Sequence, residues 1–193
     1  MVTSQASRED YAKFEALYEA NYKSIYAYVY RRAPHSSSDV PDVVSEIFTT
    51  AWRRIRDLPP APEDRLWLFG VAHNCLLEHH RRWSHRLQLL SHLGAQSNRV
   101  EFLDTAVDPL HLRVRAALLE LRPLDREVIL LVYWDGLSHV EAASVLGCSV
   151  NAVALRVKKA KTRLEIKLGF SPSAAISSKD ISSIPITPKE QLP

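Results

Sequence analysis

Ser138-His-Val-Glu-Ala-Ala-Ser-Val-Leu-Gly147-Cys-Ser149-Val-Asn-Ala-Val-Ala-Leu-Arg156-Val-Lys-Lys-Ala160-Lys-Thr-Arg-Leu164 is the stretch from which the fold is read. Its start fits a capping box: Ser138 can accept an early backbone N–H while Glu141 reaches back to the cap. A helix then runs through Ala142, Ala143, Val145 and Leu146. Gly147 falls where a tight turn between helices needs positive φ. Ser149 can cap a second helix, whose inner face is Val150, Val153, Val157, Ala160 and Leu164. A small residue at the crossing (Ala143), a glycine at the turn and an apolar plug on the second helix (Val153) together describe a helix-turn-helix.

The second helix is the basic one. Arg156, Lys158, Lys159, Lys161, Arg163 and Lys167 stand against Glu165 alone. A basic stripe on one helix is the electrostatic footprint of a phosphate-binding element. On charge alone a solvated face suits the stripe equally well, and an αα-hairpin without a DNA role is the competing reading. Placement of the charge on the recognition-helix side favours DNA.

The rest of the chain extends this picture. It has 193 residues with 25 Lys+Arg against 22 Asp+Glu, and its net charge of +3 is unevenly spread. Residues 10–83 carry ten basic and ten acidic side chains, whereas residues 111–169 carry ten against six. Two cysteines, Cys75 and Cys148, are too few for a disulfide framework and point to a reducing compartment. We see no secretory signal, and the longest strongly apolar run is residues 128–134. A membrane-spanning helix needs about 20 residues, so no membrane insertion is expected and a cytoplasmic location is. The glycines form no Gly-rich, nucleotide-cradling loop.

Helical periodicity dominates, and the fold class expected is all-α, with two small helical domains. Phe14, Leu17, Tyr18, Ile25 and Val29 mark a first helix that must end near Pro34. Ser38 or Asp39 can cap a second, with a wide apolar face of Val43, Val44, Ile47, Phe48, Ala51, Trp52 and Ile55. Pro59-Pro60-Ala61-Pro62 stops it. Leu66, Phe69, Ala72, Cys75, Leu76 and His79 make a third face, ending near Arg81-Arg82. Residues 84–108 lose this rhythm and read as a flexible linker whose first turn can be helical. From Pro109 a second block begins, with Leu110, Val114, Ala117, Leu118 and Leu121 inward and Pro123 as a break. Residues 128–134 form a short buried helix closed by Gly136 in the left-handed conformation. Residues 170–193, rich in Ser and Pro, are expected to be disordered.

Two separate stretches now resemble one family. Asp39-Val-Pro-Asp-Val-Val-Ser-Glu-Ile-Phe-Thr-Thr-Ala-Trp52 resembles the core-polymerase-binding helix of extracytoplasmic-function (ECF) sigma factors of the sigma-70 family. Trp67-Leu-Phe-Gly-Val-Ala-His-Asn74, leading to Arg81-Arg82, is similar to the promoter-melting, −10-reading helix that follows it. Leu121-Arg-Pro-Leu-Asp-Arg-Glu-Val-Ile-Leu-Leu131 and Gly136-Leu-Ser-His-Val-Glu-Ala-Ala-Ser-Val-Leu-Gly147 resemble the −35-binding domain. Two matching domains in the right order are far more specific than one helix-turn-helix.

The resemblance implies that residues 10–83 are region 2 and residues 109–169 region 4, with RNA polymerase core enzyme and promoter DNA as partners. It leaves an anti-sigma factor open. It implies that Asp42, Ser45, Glu46, Thr49 and Arg53 face the polymerase. Residues 56–65 align with a loop that captures a base flipped from the non-template strand, a step costing a few kcal/mol, with Asp64 and Arg65 as its polar groups. Asn74 matches a −10-contacting asparagine, and Arg81 and Arg82 continue that surface. Gly70 and His73 stand where basic or bulky residues are frequent, and Ala154 replaces a frequent basic residue. Reading of −35 bases then falls to Asn151, Leu155, Arg156 and Lys159 at the helix capped by Ser149. Lys158, Lys161 and Arg163 are assigned to phosphate, which positions without reading sequence.

The implied activity is promoter-directed transcription initiation in a stress or envelope response, with no catalysis by the chain itself. The alternative is a helix-turn-helix repressor or activator that does not bind core polymerase, which leaves the first block without a use. A metal enzyme is a further competing reading, on His73, Cys75, His79, His80 and His85. These lack a His-Glu-x-x-His pair and a third ligand at zinc spacing, so no metal and no cofactor are expected.

Overall fold

Helix α1 (Arg8–Arg32) begins on a capping box in the computed structural model. Ser7 Oγ accepts the Asp10 N–H at 3.1 Å, and Asp10 Oδ2 accepts the Ser7 N–H at 2.9 Å. That backbone hydrogen bond is the main reason the Asp10 carboxyl is held below its ordinary pKa. The structure describes residues 7–33, 39–92 and 109–169, with side chains described only to residue 82 in the first stretch of helices and from residue 113 in the second. They pack as two units, Met1–Glu101 and Phe102–Pro193.

In the first unit α1 ends at Ala33, in extended backbone immediately before Pro34, as the proline requires. Helix α2 (Val40–Arg53) follows. Asp39 occupies its N-cap position but caps nothing with its side chain, because its backbone is already helical. Ser38 lies outside the described residues. Pro41 sits in the first turn, where its missing N–H leaves no bond unmade. A tight turn at Ile55–Asp57 leads to α3 (Glu63–His92). The core is Leu17, Ile25, Tyr28 and Val29 from α1, Val43, Val44, Ile47, Phe48 and Ala51 from α2, and Leu68, Phe69, Ala72 and Leu76 from α3. The Tyr28 and Phe69 rings meet edge to face at 5.2 Å. Arg32, also buried, lies 3.6 Å over the Tyr28 ring.

Helix α3 runs to His92, well past the end expected near Arg82. Residues 83–92 contain no proline or glycine, so nothing in them breaks a helix already under way. The first part of the expected linker is therefore helical. The remainder of it, residues 93–108, and the tail read as disordered lie outside the described residues.

The second unit contains α4 (Pro109–Leu119), α5 (Pro123–Ile129), α6 (His139–Leu146) and α7 (Val150–Leu168). Pro123 starts α5 as well as separating it from α4, since proline is tolerated in a first turn. At Leu130–Trp134 the turns of α5 widen: the Asp135 N–H reaches Leu130 O, five residues back, at 3.0 Å. Leu137 then returns to the core at 2% exposure. Both halves of the α6 capping box are made, with Ser138 N–H to Glu141 Oε2 at 2.7 Å and Glu141 N–H to Ser138 Oγ at 3.2 Å. Gly147 takes φ +61, and Ser149 Oγ accepts the Ala152 N–H at 3.2 Å to start α7. Val153, Val157, Ala160 and Leu164 are buried as expected. Val150, expected with them, is 43% exposed, because it is the first residue of the helix and the stripe has not yet reached its neighbours. Among the described residues no single helix is long and apolar enough to cross a membrane.

A Cβ built on Gly147 would meet nothing within 4 Å, so any cost of Gly147→Ala is that of the left-handed backbone. We expect a loss of about 1–2 kcal/mol, read from urea denaturation. Burial pushes the Cys75 thiol pKa up, whereas Cys148 is exposed. A thiol-alkylating reagent at neutral pH should therefore label Cys148 and spare Cys75 until urea opens the first unit; equal labelling in the native protein would contradict this packing.

Candidate nucleic-acid interface

The outer face of α7 starts with groups able to touch a groove. Asn151, Leu155, Lys158 and Lys159 are exposed, and Leu155 has 51% of its surface open. Ser149 is exposed too, but its hydroxyl is occupied by the Ala152 N–H. Lys161 is drawn to Glu165 one turn on, at 4.0 Å, and is only half-exposed. Lys167 pairs with Glu120.

Arg156 and Arg163 are placed differently from the sequence reading, which gave one to a base and the other to phosphate. Both turn to Asp125 of α5, a carboxylate with no exposed surface. Arg163 Nη1 donates to Asp125 Oδ2 at 3.1 Å. Arg122 Nε donates to the same oxygen at 2.9 Å. Arg156 Nη1 lies 3.7 Å from Asp125 Oδ1, which accepts no hydrogen bond. The sequence reading missed Asp125 and Arg122. A signal was present: Asp125 stands three and four residues before Val128 and Ile129, so a lone carboxylate falls on the apolar face of α5.

In the first unit Asp42, Ser45, Thr49 and Arg53 lie exposed along α2. Glu46 does not stand free with them. Its Oε2 is 2.8 Å from His79 Nε2 and 3.7 Å from Arg82 Nη1. Glu46 and Arg82, read as parts of two different surfaces, are thus partners across α2 and α3.

Beside Ser45 and Thr49 opens an aromatic groove of about 560 Å³ between α1 and α2. Tyr11 and Phe14 approach Trp52 at 4.8 and 5.2 Å, and Tyr18 meets Phe48 at 4.7 Å. Phe14, Tyr18 and Trp52 stand on the faces that apolar periodicity turns inward, yet Tyr18 is 40% exposed and the other two are half-buried. The clue was the width of the apolar face on α2, broader than one neighbouring helix covers.

The residues assigned to the −10 strand are spread along α3. Asp64 Oδ1 accepts the Arg65 N–H at 2.8 Å, and the Arg65 guanidinium lies 4.9 Å from the Phe69 ring. Asn74 and Arg81 are exposed and seven residues apart, about two turns, which places them on one face. Arg65 and Asn74 are nine apart, about half a rotation out of phase, so they do not share a face. Arg54 adds a cation 5.5 Å over the Trp67 ring, near the start of this helix. Among the described residues no three His, Cys, Asp or Glu side chains come together to hold a metal ion.

Comparison with known proteins bears on both units. A family model described as Sigma-70 region 2 matches residues 17–86, and one described as Sigma-70, region 4 matches residues 111–164. The RNA polymerase sigma factor NccH of Alcaligenes xylosoxydans xylosoxydans is 32% identical over 145 residues, covering 69% of this chain and 75% of its own. The RNA polymerase sigma factor CnrH of Cupriavidus metallidurans is 35% identical over 141 residues, covering 68% and 74%. The solved structure of CnrH in complex with the cytosolic domain of CnrY matches at a TM-score of 0.58 and 30% identity, over 81% of this chain and 87% of that one.

Proposed function

This chain belongs to the sigma-70 family of RNA polymerase sigma factors, and from that premise we propose how its surfaces divide the work of promoter-specific initiation. It binds core RNA polymerase, directs it to promoters as ECF sigma factors do, and catalyses no step itself. It acts in the cytoplasm, where core enzyme and DNA meet. The observation that carries this reading is the pairing of two helical units in family order, one with an open aromatic groove and one with a basic recognition helix.

The groove between α1 and α2, rimmed by Ser45 and Thr49 and flanked by Asp42 and Arg53, takes a helix of the polymerase. Aromatic walls offer large contact area with little conformational entropy to lose. Asn74 and Arg81 face the −10 strand, and Asp64 and Arg65, in the first turn of α3, border the loop where a flipped base is held. In the second unit Asn151, Leu155 and Lys159 read −35 base edges while Lys158 holds phosphate. The complex of CnrH with CnrY supports an anti-sigma polypeptide as a further partner for this chain. A stress or envelope signal acting through such a partner fits that arrangement. A repressor working through the second unit alone leaves the groove of the first without purpose.

Added to core enzyme on a genomic template library, the protein should create start sites that core alone lacks; none would refute the reading. Ser45→Arg, which puts a long cation on the groove rim without touching the core, should weaken core binding by about tenfold in a competition assay. Lys159→Ala should cost about 1–3 kcal/mol of discrimination at one −35 position. Lys158→Ala should instead weaken binding on all sequences and flatten the salt dependence by about 0.9 of a slope unit.

A further inference from the structure

We infer that Asp125 is a positioning residue for −35 recognition: its carboxylate fixes Arg156 and Arg163 on α7 and takes their charge away from the DNA. This rests on the reading of α7 as the recognition helix. Arg156 and Arg163 are seven residues apart, about two turns, so one buried carboxylate on α5 can face both along one edge of α7. Arg122, at the start of α5, completes the ring of guanidinium groups, with Nε and Nη2 both 2.9 Å from Asp125 Oδ2. An unpaired carboxylate with no exposed surface is strongly unfavourable, so these contacts are obligatory once Asp125 is inside.

The consequence for charge is large. Of the six cations on α7, Arg156 and Arg163 pair with Asp125, Lys161 with Glu165 and Lys167 with Glu120. Of these six, all among the described residues, Lys158 and Lys159 have no ion pair, and both are exposed. Asp125, Glu165 and Glu120 set three negative charges against the six positive ones, so the phosphate rail seen in sequence is weakened, not abolished, within its own unit. Sequence-independent attraction scales with the number of phosphates neutralised, so withdrawing the arginines lowers it while the fixed helix keeps its base contacts. Asp125 trades affinity for any DNA against selectivity for the right DNA.

The test uses the full chain bound to core RNA polymerase, measured at several salt concentrations on a −35-randomised promoter library and on a promoterless duplex. Asp125→Asn should bind the promoterless duplex more tightly, with a salt slope steeper by about one, and should lose about tenfold in −35 discrimination. A residue that merely supports the fold would lower binding on every sequence alike, and that result would overturn the inference. Arg163→Gln and Arg156→Gln decide the matter even if circular dichroism shows Asp125→Asn unfolded. Each should reduce −35 discrimination while leaving the promoterless salt slope unchanged. A slope flattened by about 0.9 with discrimination intact would mean that these arginines hold phosphate, and the inference fails. A wild-type complex without any −35 preference removes the reading of α7 and this inference together. A wild type that discriminates, with variants that behave otherwise, removes this inference alone.

Discussion

A carboxylate with no contact to water sets the terms on which the second unit is built. Removing an ion from water costs several kcal/mol even after relaxation, so the surrounding groups must offset it with paired, directed contacts. Arg122 supplies them from the start of α5 and Arg163 from α7, while Arg156 adds its charge at 3.7 Å without a hydrogen bond. The apolar stripe of Val153, Val157, Ala160 and Leu164 stabilises the packing but is not directional, so by itself it tolerates small rotations and slides. Charged hydrogen bonds are directional. The stripe therefore holds α7 down while the carboxylate decides how it is turned. The far end is held as well, where Arg113 Nη2 donates to Leu168 O at 2.8 Å.

The first unit answers a different demand. Its helices share a core that ends in a row of aromatic rings, and the row continues onto the surface. Apolar area left open forgoes about 25 cal/mol per Å² that covering it would return, which is the driving force for a partner. Tyrosine hydroxyls and the rim hydroxyls of Ser45 and Thr49 keep the groove wettable meanwhile. The polar contacts of this unit sit beside the groove rather than in it. Glu46, His79 and Arg82 tie α2 to α3, and Cys75 with Thr50 adds a weak sulfur contact at 3.9 Å.

Local chemistry was the readable part of this protein. The Ser138 and Glu141 capping box, the left-handed Gly147, the Ser149 cap and the stop before Pro34 each depend on a few neighbouring residues, and each stands in the structure as expected. What could not be read depends on distance along the chain. Arg156 and Arg163 looked free because their partner lies on another helix, 31 and 38 residues away in sequence. Glu46 and Arg82 looked like members of separate surfaces for the same reason, being joined only when α2 packs on α3. Phe14, Tyr18 and Trp52 looked turned inward because apolar periodicity reports which face is buried and not how far a neighbour extends over it. The end of α3 was misjudged where the amphipathic rhythm faded, although absence of a helix breaker mattered more than absence of rhythm.

The widened turns after α5 carry a consequence for how this unit tolerates changes in length. A hydrogen bond spanning five residues instead of four accommodates one more residue than an unbroken helix would, and each residue turns the chain by about 100°. Everything downstream is therefore delivered at an angle set by that extra residue. Leu137 points inward and Ser138 opens α6 where they do because of it. A one-residue deletion here would not act like a shortened loop. It would behave like a rotated gear, swinging Leu137 out and α6 and α7 around with it, whereas the same deletion at an exposed turn would be absorbed locally.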